Sequence, residues 1–434
     1  MRGRHFLFNL SDFLLQRNEV EFYKKFLLND EKSFDILLAQ QNDALKLMIN
    51  HCYYNIPFYQ KKFKQLGLFP DDIKGVDDLK FLPILHKEEI RDNFEEFKCI
   101  TPTKSINGTT GGSTGIPLKY EMSKECYKRG VALLYRGWHR AGYNIGDKIV
   151  FFAGASLVGK ESLLSKINKY TKNITTFSSY GVSDAEYLSV ISYLETTKPE
   201  FLRGYATSIA ALARFVIESK KNLTYRPKGI FTTAEMLSNQ DRKTIEAAFN
   251  TKVYNQYGLN DGGISAFEDG ENNGFLIDSE RSFMESVSGS RRVFNQPGNL
   301  IATSLYNYSF PFIRYDTGDI GMINERPISG ENRLRLTALL GRETDMIEIN
   351  GRRIGSPVLT VLMGKFDILR YQVIKEKNEL RFIINKGNNF TRENELTIKQ
   401  SILEKLGKAE IIFDYSGEFF KSKNKHKFIV DLDK

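Results

Sequence analysis

Between residues 19 and 66 the apolar positions recur at helical spacing, through Phe22, Phe26, Leu27, Leu37, Leu38, Leu45, Met48 and Ile49, until Pro57 and Gly67 break the rhythm. The spacing predicts a helical N-terminal segment. Turn and proline signals continue through LFPDDI and FLPIL, and the polar, glycine-rich stretch SINGTTGGSTGIPLKY then interrupts the pattern. Beyond it short apolar runs alternate with amphipathic stretches: IVFFAG at 149–154, PEFLRGY at 199–205, the helical pattern IAALARFVI, GIFTTAE at 229–235 and KVYNQYG at 252–258. Strand and helix in alternation predict an α/β sheet whose functional groups gather at strand ends.

A β-rich portion from NLIATSLYN to RYDTGDIG precedes a change of composition near residue 341. After it LRYQVI, LRFIIN and EIIFDY read as strands between helix-like segments, enough for a small α+β domain. The expected organisation is a large N-terminal domain over residues 1–341, with mixed sheets and helices, and a smaller one over 342–434. No internal repeat is visible.

Composition narrows the classes. A hydrophobic share of 41%, with 12% aromatic and 26% charged residues, is that of a soluble globular protein. The opening MRGRHFLFNLSDFLL is basic and then apolar, but Asn9 and Asp12 interrupt it and no small-residue cleavage site follows, so a helix is expected there in place of a signal peptide. No window approaches the roughly 18 uninterrupted apolar residues of a membrane span, and the expected location is the cytoplasm. Cys52, Cys99 and Cys126 stand outside any CxxC spacing, and the five histidines are scattered, so neither a disulfide framework nor structural zinc is expected. The net charge of +9 suits an anionic partner, but the basic residues form no long run with interleaved aromatics, which points to a small molecule and away from nucleic acid.

The loop at 107–117, NGTTGGSTGIP, offers four glycines and, with Ser105, five hydroxyl residues. Backbone N–H groups and hydroxyls so exposed suit phosphate oxygens. Ile116 and Pro117 follow Gly115 where a Walker A loop needs GK[ST], so this is not a Walker A loop, and taken by itself the stretch reads equally as a phosphate loop or a flexible linker. Taken with TTAE at 232–235, YNQYGLND at 254–261, RYDTGD at 314–319 and GRETDMIEINGRRI at 341–354, in that order, the loop resembles the adenylate-forming superfamily that includes acyl-CoA synthetases. The resemblance is closest to its phenylacetate-CoA ligase branch and, within that, to ligase-like proteins of capsule-polysaccharide clusters. HCYYNIPFYQKKF and LPILHKEEIRDNFEEF carry it into the N-terminal region, so it covers nearly the whole chain.

The resemblance implies ATP-dependent activation of a carboxylic acid to an acyl-adenylate with release of pyrophosphate, then acyl transfer to an acceptor. Coenzyme A would give a thioester; an amine of a sugar or other small molecule, in polysaccharide or secondary metabolism, would give an amide. A non-catalytic nucleotide-binding protein of the same fold is the alternative. It assigns phosphate binding to Thr110, Gly111, Gly112, Ser113, Thr114 and Gly115, and the adenine side to Ala234 and Glu235. Tyr257, followed by Gly258, matches the ring that stacks on adenine, while Asp319 and Arg342 match the residues that reach the ribose. The Mg2+ ligand falls on Asp261, where the family has Glu, one methylene longer. In KSKNKHKFIVD the lysine between the α-phosphate and the substrate carboxylate matches Lys425, with Asn424 in place of the family's glycine and Lys423 and Lys427 close by. The hinge of a mobile C-terminal lid matches Asp345.

Overall fold

The computed structural model describes residues 2–101, 104–109, 118–153, 162–178, 183–219, 223–342, 346–349, 352–355, 359, 362–363, 365–422, 425–426 and 429–433. The chain divides into two compact units. One comprises Met1–Leu237, Thr244–Thr317 and Gly321–Ala338, the other Ser238–Lys243, Gly318–Ile320 and Leu339–Lys434.

In the first unit the N-terminal helical pattern becomes α1 (Arg2–Leu14), α2 (Glu19–Asn29), α3 (Phe34–Asn55) and α4 (Pro57–Leu66). Ser33 caps α3 through the Ile36 N–H, and Gly67, at φ 65°, ends α4 in the left-handed conformation that glycine adopts without strain. A hairpin of β1 (Ser105–Thr109) and β2 (Lys119–Ser123) flanks the glycine-rich loop and leads into α6 (Lys124–His139), after the short α5 (Lys87–Asp92).

The predicted alternation then forms β3 (Ile149–Ala153), α7 (Leu163–Thr171), β4 (Ile174–Ser178), α8 (Asp184–Thr197), β5 (Phe201–Tyr205), α9 (Ala206–Glu218), β6 (Gly229–Thr233), α10 (Asn239–Phe249) and β7 (Val253–Gly258). These strands are parallel in the order β7-β6-β5-β3-β4. Both faces are covered, as a parallel sheet requires. Val150, Leu202, Ile230 and Val253 pack beneath Leu194, Ile209, Leu212, Val216 and Phe249 of α8, α9 and α10. On the opposite face Ile149, Phe201 and Phe231 meet Leu133, Trp138 and Tyr143 together with Phe8 and Phe26.

Past β7 the sheet turns antiparallel through β8 (Ser265–Phe267), β9 (Phe275–Ile277), β10 (Ser282–Ser288), β11 (Arg291–Arg292), β12 (Gly298–Ser304), β13 (Tyr315–Ile323) and β14 (Arg335–Arg342), making twelve strands in all. A buried ion network ties it to the helices. Arg136 of α6 donates to Glu280 at 2.9 Å, to Asp30 at 3.1 Å and to Asp278, while Arg333 reaches Glu280 at 2.7 Å and Asp30 at 3.0 Å.

The smaller unit holds an antiparallel pair, Ile368–Glu376 with Glu379–Lys386, extended in parallel by Glu410–Asp414 on one side and Ile429–Asp431 on the other. The helix Arg392–Leu406 contributes Ile398, Ile402 and Leu406 to a core shared with Val373, Phe382 and Ile384. Cys52 and Cys126 are buried and unbridged. Among the described residues no helix is long and apolar enough to cross a membrane.

Candidate active site

Two neighbouring parallel strands deliver the central residues. β6 ends at Thr233, and Ala234 takes φ 64°, a left-handed conformation that alanine adopts only against strain. Strain of this kind gathers where a chain must present groups at a fixed place. The Glu235 carboxylate that follows accepts from the Thr207 backbone N–H at 3.0 Å and its hydroxyl at 2.7 Å. It therefore sits on the first turn of α9, where unpaired N–H groups and the helix dipole favour an anion. Thr233 pairs in register with Gln256, so Ala234 leaves β6 at the level where Tyr257 continues β7. Tyr257 is buried, and Gly258 is exposed.

The turn after β7 closes through the Leu259 N–H to the Ile264 carbonyl at 3.0 Å, with Gly263 at φ 74°. Gly262 lies so near β12 that a Cβ there would come within 2.8 Å of the Ala302 methyl. This turn carries Asp261, which is 7% exposed and accepts the Tyr315 hydroxyl at 2.8 Å. Arg281, which nothing in its local sequence singles out, supports the same turn. Its guanidinium is buried and donates to the Asn260 side chain at 3.2 Å and the Met122 sulfur at 3.0 Å.

Tyr315 is the second residue of the RYDTGD segment and the first of β13. Arg314, at φ 54°, is held by the Leu82 carbonyl at 2.7 Å and by Glu285, and Thr317 donates to the Leu300 carbonyl at 2.7 Å. Asp319 lies on β13 and is buried, on the strand face that it shares with Tyr315 and Thr317 by the alternation of burial along the strand.

The tertiary structure thus brings Ala234, Glu235, Tyr257, Gly258 and Asp261 onto two adjacent strand ends, with Tyr315 beneath Asp261. Thr110, Gly111, Gly112, Ser113, Thr114, Gly115 and Asp345 lie outside the described residues. Arg342 ends β14, and Lys425 opens the two-residue strand Lys425–His426, which pairs with Lys421–Ser422; their side chains also lie outside the described set.

Among the described residues no three His, Cys, Asp or Glu side chains form a ready-made cation cage. With one Asp261 oxygen taken by Tyr315, the other has no hydrogen bond from a described residue. One free carboxylate oxygen fits a Mg2+ that draws its remaining ligands from phosphate and water.

No protein-family model matches the chain. It is 27% identical over 340 residues to Protein CapK of Staphylococcus aureus, covering 77% of this chain and 74% of that one. It is 25% identical over 383 residues to phenylacetate-coenzyme A ligase of Thermus thermophilus, covering 82% and 83%, and 26% identical over 346 residues to that of Escherichia coli, covering 78% of each. The fold is that of 2-hydroxyisobutyryl-CoA ligase in complex with 2-HIB-AMP, at TM-score 0.72 and 19% identity over 91% of this chain and 89% of that one.

Proposed function

We propose that this chain, an adenylate-forming ligase related to Protein CapK and the phenylacetate-coenzyme A ligases, activates a carboxylic acid with ATP and passes the acyl group to coenzyme A. In the first step a carboxylate oxygen bonds to the α-phosphorus of ATP, the bond to the bridging oxygen breaks and pyrophosphate leaves. In the second the coenzyme A sulfur bonds to the acyl carbon, losing its proton, and AMP leaves. The single observation that carries the reading is the register of Thr233 with Gln256, which brings the residues after them, Ala234 and Tyr257, to neighbouring strand ends beside the turn where Tyr315 holds Asp261.

In this reading the Tyr257 ring packs on adenine, and Asp319 and Arg342 bind the ribose. The loop with Thr110, Gly111, Gly112, Ser113, Thr114 and Gly115 lays backbone N–H groups on the phosphates. Asp261 would hold Mg2+, which when bound neutralises phosphate charge. Lys425 places a cation between two anions that must meet, which lowers the barrier where charge is crowded. Glu235 acts at one remove, through the start of α9.

The test is exchange of radiolabelled pyrophosphate into ATP over a panel of carboxylic acids, followed by addition of coenzyme A. At least one acid should support Mg2+-dependent exchange and then yield a thioester. Exchange with none overturns the reading, whereas exchange followed by acyl transfer only to an added amine replaces coenzyme A as the acceptor.

A further inference from the structure

On the sheet face that α6 covers, the side chains of Phe151, Arg203 and Phe231 stand in one row, since Arg203 is in register with both phenylalanines. One residue layer nearer the strand ends come Tyr205, Thr233 and Gln256, again in register, and Gln256 immediately precedes Tyr257. Arg203 therefore lies below the strand-end site, two residues or about 6.6 Å deeper than Tyr205 at the ordinary rise of a strand.

Its surroundings are aromatic. The guanidinium carbon lies 5.6 Å from the centre of the Trp138 ring and 5.0 Å from that of Phe151. Among the described residues no carboxylate pairs with it, and its Nε is buried with no hydrogen-bond acceptor. Burial in this setting lowers its pKa to about 10, so it is still charged at neutral pH.

Arg17 also has two buried guanidinium nitrogens without an acceptor, but six other arginines have polar partners. Arg136, Arg314, Arg333 and Arg335 each meet carboxylates, Arg281 donates to Asn260, and Arg140 donates to the Phe267 carbonyl. Arg203 is also not alone in lacking an acceptor on its face. The Gln256 amide nitrogen and the Trp138 indole nitrogen are buried without one, as is the hydroxyl of Thr176, which is in register with Phe151. Buried donors are ordinarily satisfied, and a half-buried cation whose Nε is enclosed without an acceptor gains from an anion that reaches it. Cation–π contact with two rings offsets only part of that. The missing partner is an acceptor-rich anion, and the strand-end site lies directly above.

We propose that the acid this enzyme activates carries a second, distal carboxylate, which Arg203 receives with help from the Gln256 amide. The inference rests on the proposed adenylation and adds the class of acid. A depth of about 6.6 Å below the strand ends suits a diacid with a few carbons between its carboxyls.

Pyrophosphate exchange with matched pairs tests it: glutarate against valerate, adipate against hexanoate, and isophthalate against benzoate. The wild type should favour the diacid of at least one pair by about 10-fold or more in kcat/KM, and Arg203→Met should reverse that preference. Glutarate or adipate alone should raise the melting temperature of the wild type and leave that of Arg203→Met unmoved. Since the substitution removes a half-buried charge that pairs with no carboxylate of the described residues, the variant should melt no lower than the wild type in the absence of acid. Preference for every monoacid, or a diacid preference that Arg203→Met leaves intact, overturns the inference while leaving adenylation standing. Exchange with no acid of any kind overturns adenylation itself. If Arg203→Met does not fold, the wild-type preference and the diacid-induced stabilisation decide, together with Gln256→Leu, which should lessen both.

Discussion

The Tyr315 hydroxyl donates to the Asp261 carboxylate at 2.8 Å, joining two segments 54 residues apart. Both groups are buried, so the bond fixes the carboxylate's direction as well as its position. Asp261 is one methylene shorter than the glutamate of the related motif, and a short side chain has few ways to reach a cation. Tyr315→Phe should keep the fold and lower Mg2+-dependent exchange by roughly 10-fold, corresponding to about 1.4 kcal/mol for one lost hydrogen bond to a charged group. Titrating Mg2+ distinguishes the roles, because lost orientation raises the Mg2+ concentration needed for half-maximal rate. An unchanged Mg2+ dependence removes Tyr315 from that role.

The network around Arg136 makes a prediction about acid. Burial pushes the Glu280 carboxyl upward, but Arg136 and Arg333 outweigh it and hold the group well below its ordinary 4.5. Burial raises Asp278, which runs in the opposite sense. A carboxyl depressed in the folded state contributes stability above its unfolded pKa and loses it as pH falls toward the folded value. The melting temperature should therefore decline progressively below about pH 4.5, and Glu280→Gln should flatten that decline while melting lower at pH 7. Arg136→Met, which leaves buried Asp278 without its arginine and Glu280 with Arg333 alone, should destabilise by about 3 to 5 kcal/mol in chemical denaturation.

Much of this architecture is legible from periodicity. The apolar runs at 149–154, 199–205, 229–235 and 252–258 become β3, β5, β6 and β7, because a parallel strand buried on both faces needs continuous apolar residues. ITTFS, which forms β4 at the sheet edge, is short and half polar and gives no such signal. SFMESVS reads poorly as a strand because Ser282, Glu285 and Ser286 are buried. Glu285 is tolerated inside because Arg314 arrives from 29 residues away and Arg292 from seven. The site is legible as motifs and not as contacts. Nothing local to TTAE shows that the Glu235 carboxylate rests on Thr207, and nothing in PEFLRGY shows that Arg203 meets no carboxylate.

Lys425 opens a strand of two residues whose partner is Ser422, in a segment with Lys421, Lys423 and Lys427. A lysine that serves the transition state should matter more to rate than to binding. Lys425→Ala should slow acyl-adenylate formation by on the order of 100-fold or more, with a much smaller change in ATP affinity. A variant that forms adenylate at the wild-type rate would move the assignment to Lys423 or Lys427.

The last prediction concerns motion between the two steps. If the smaller unit supplies Lys425 for adenylation, that lysine occupies the place where the acceptor must enter, and the unit has to move before transfer. We assign the hinge to Asp345, three residues after Arg342 closes β14 and just before Met346–Ile349 begins the next strand. A hinge works by changing backbone dihedrals, and proline fixes φ near −65°. Asp345→Pro should therefore hold one state, leaving acyl-adenylate formation largely intact while transfer to coenzyme A falls by on the order of 100-fold. A surface-turn aspartate behaves differently, because proline there lowers stability and both half-reactions together. Single-turnover adenylation, measured beside thioester formation from preformed acyl-adenylate in a variant of wild-type melting temperature, separates the two. Equal loss in both steps, or loss in neither, removes Asp345 as the hinge.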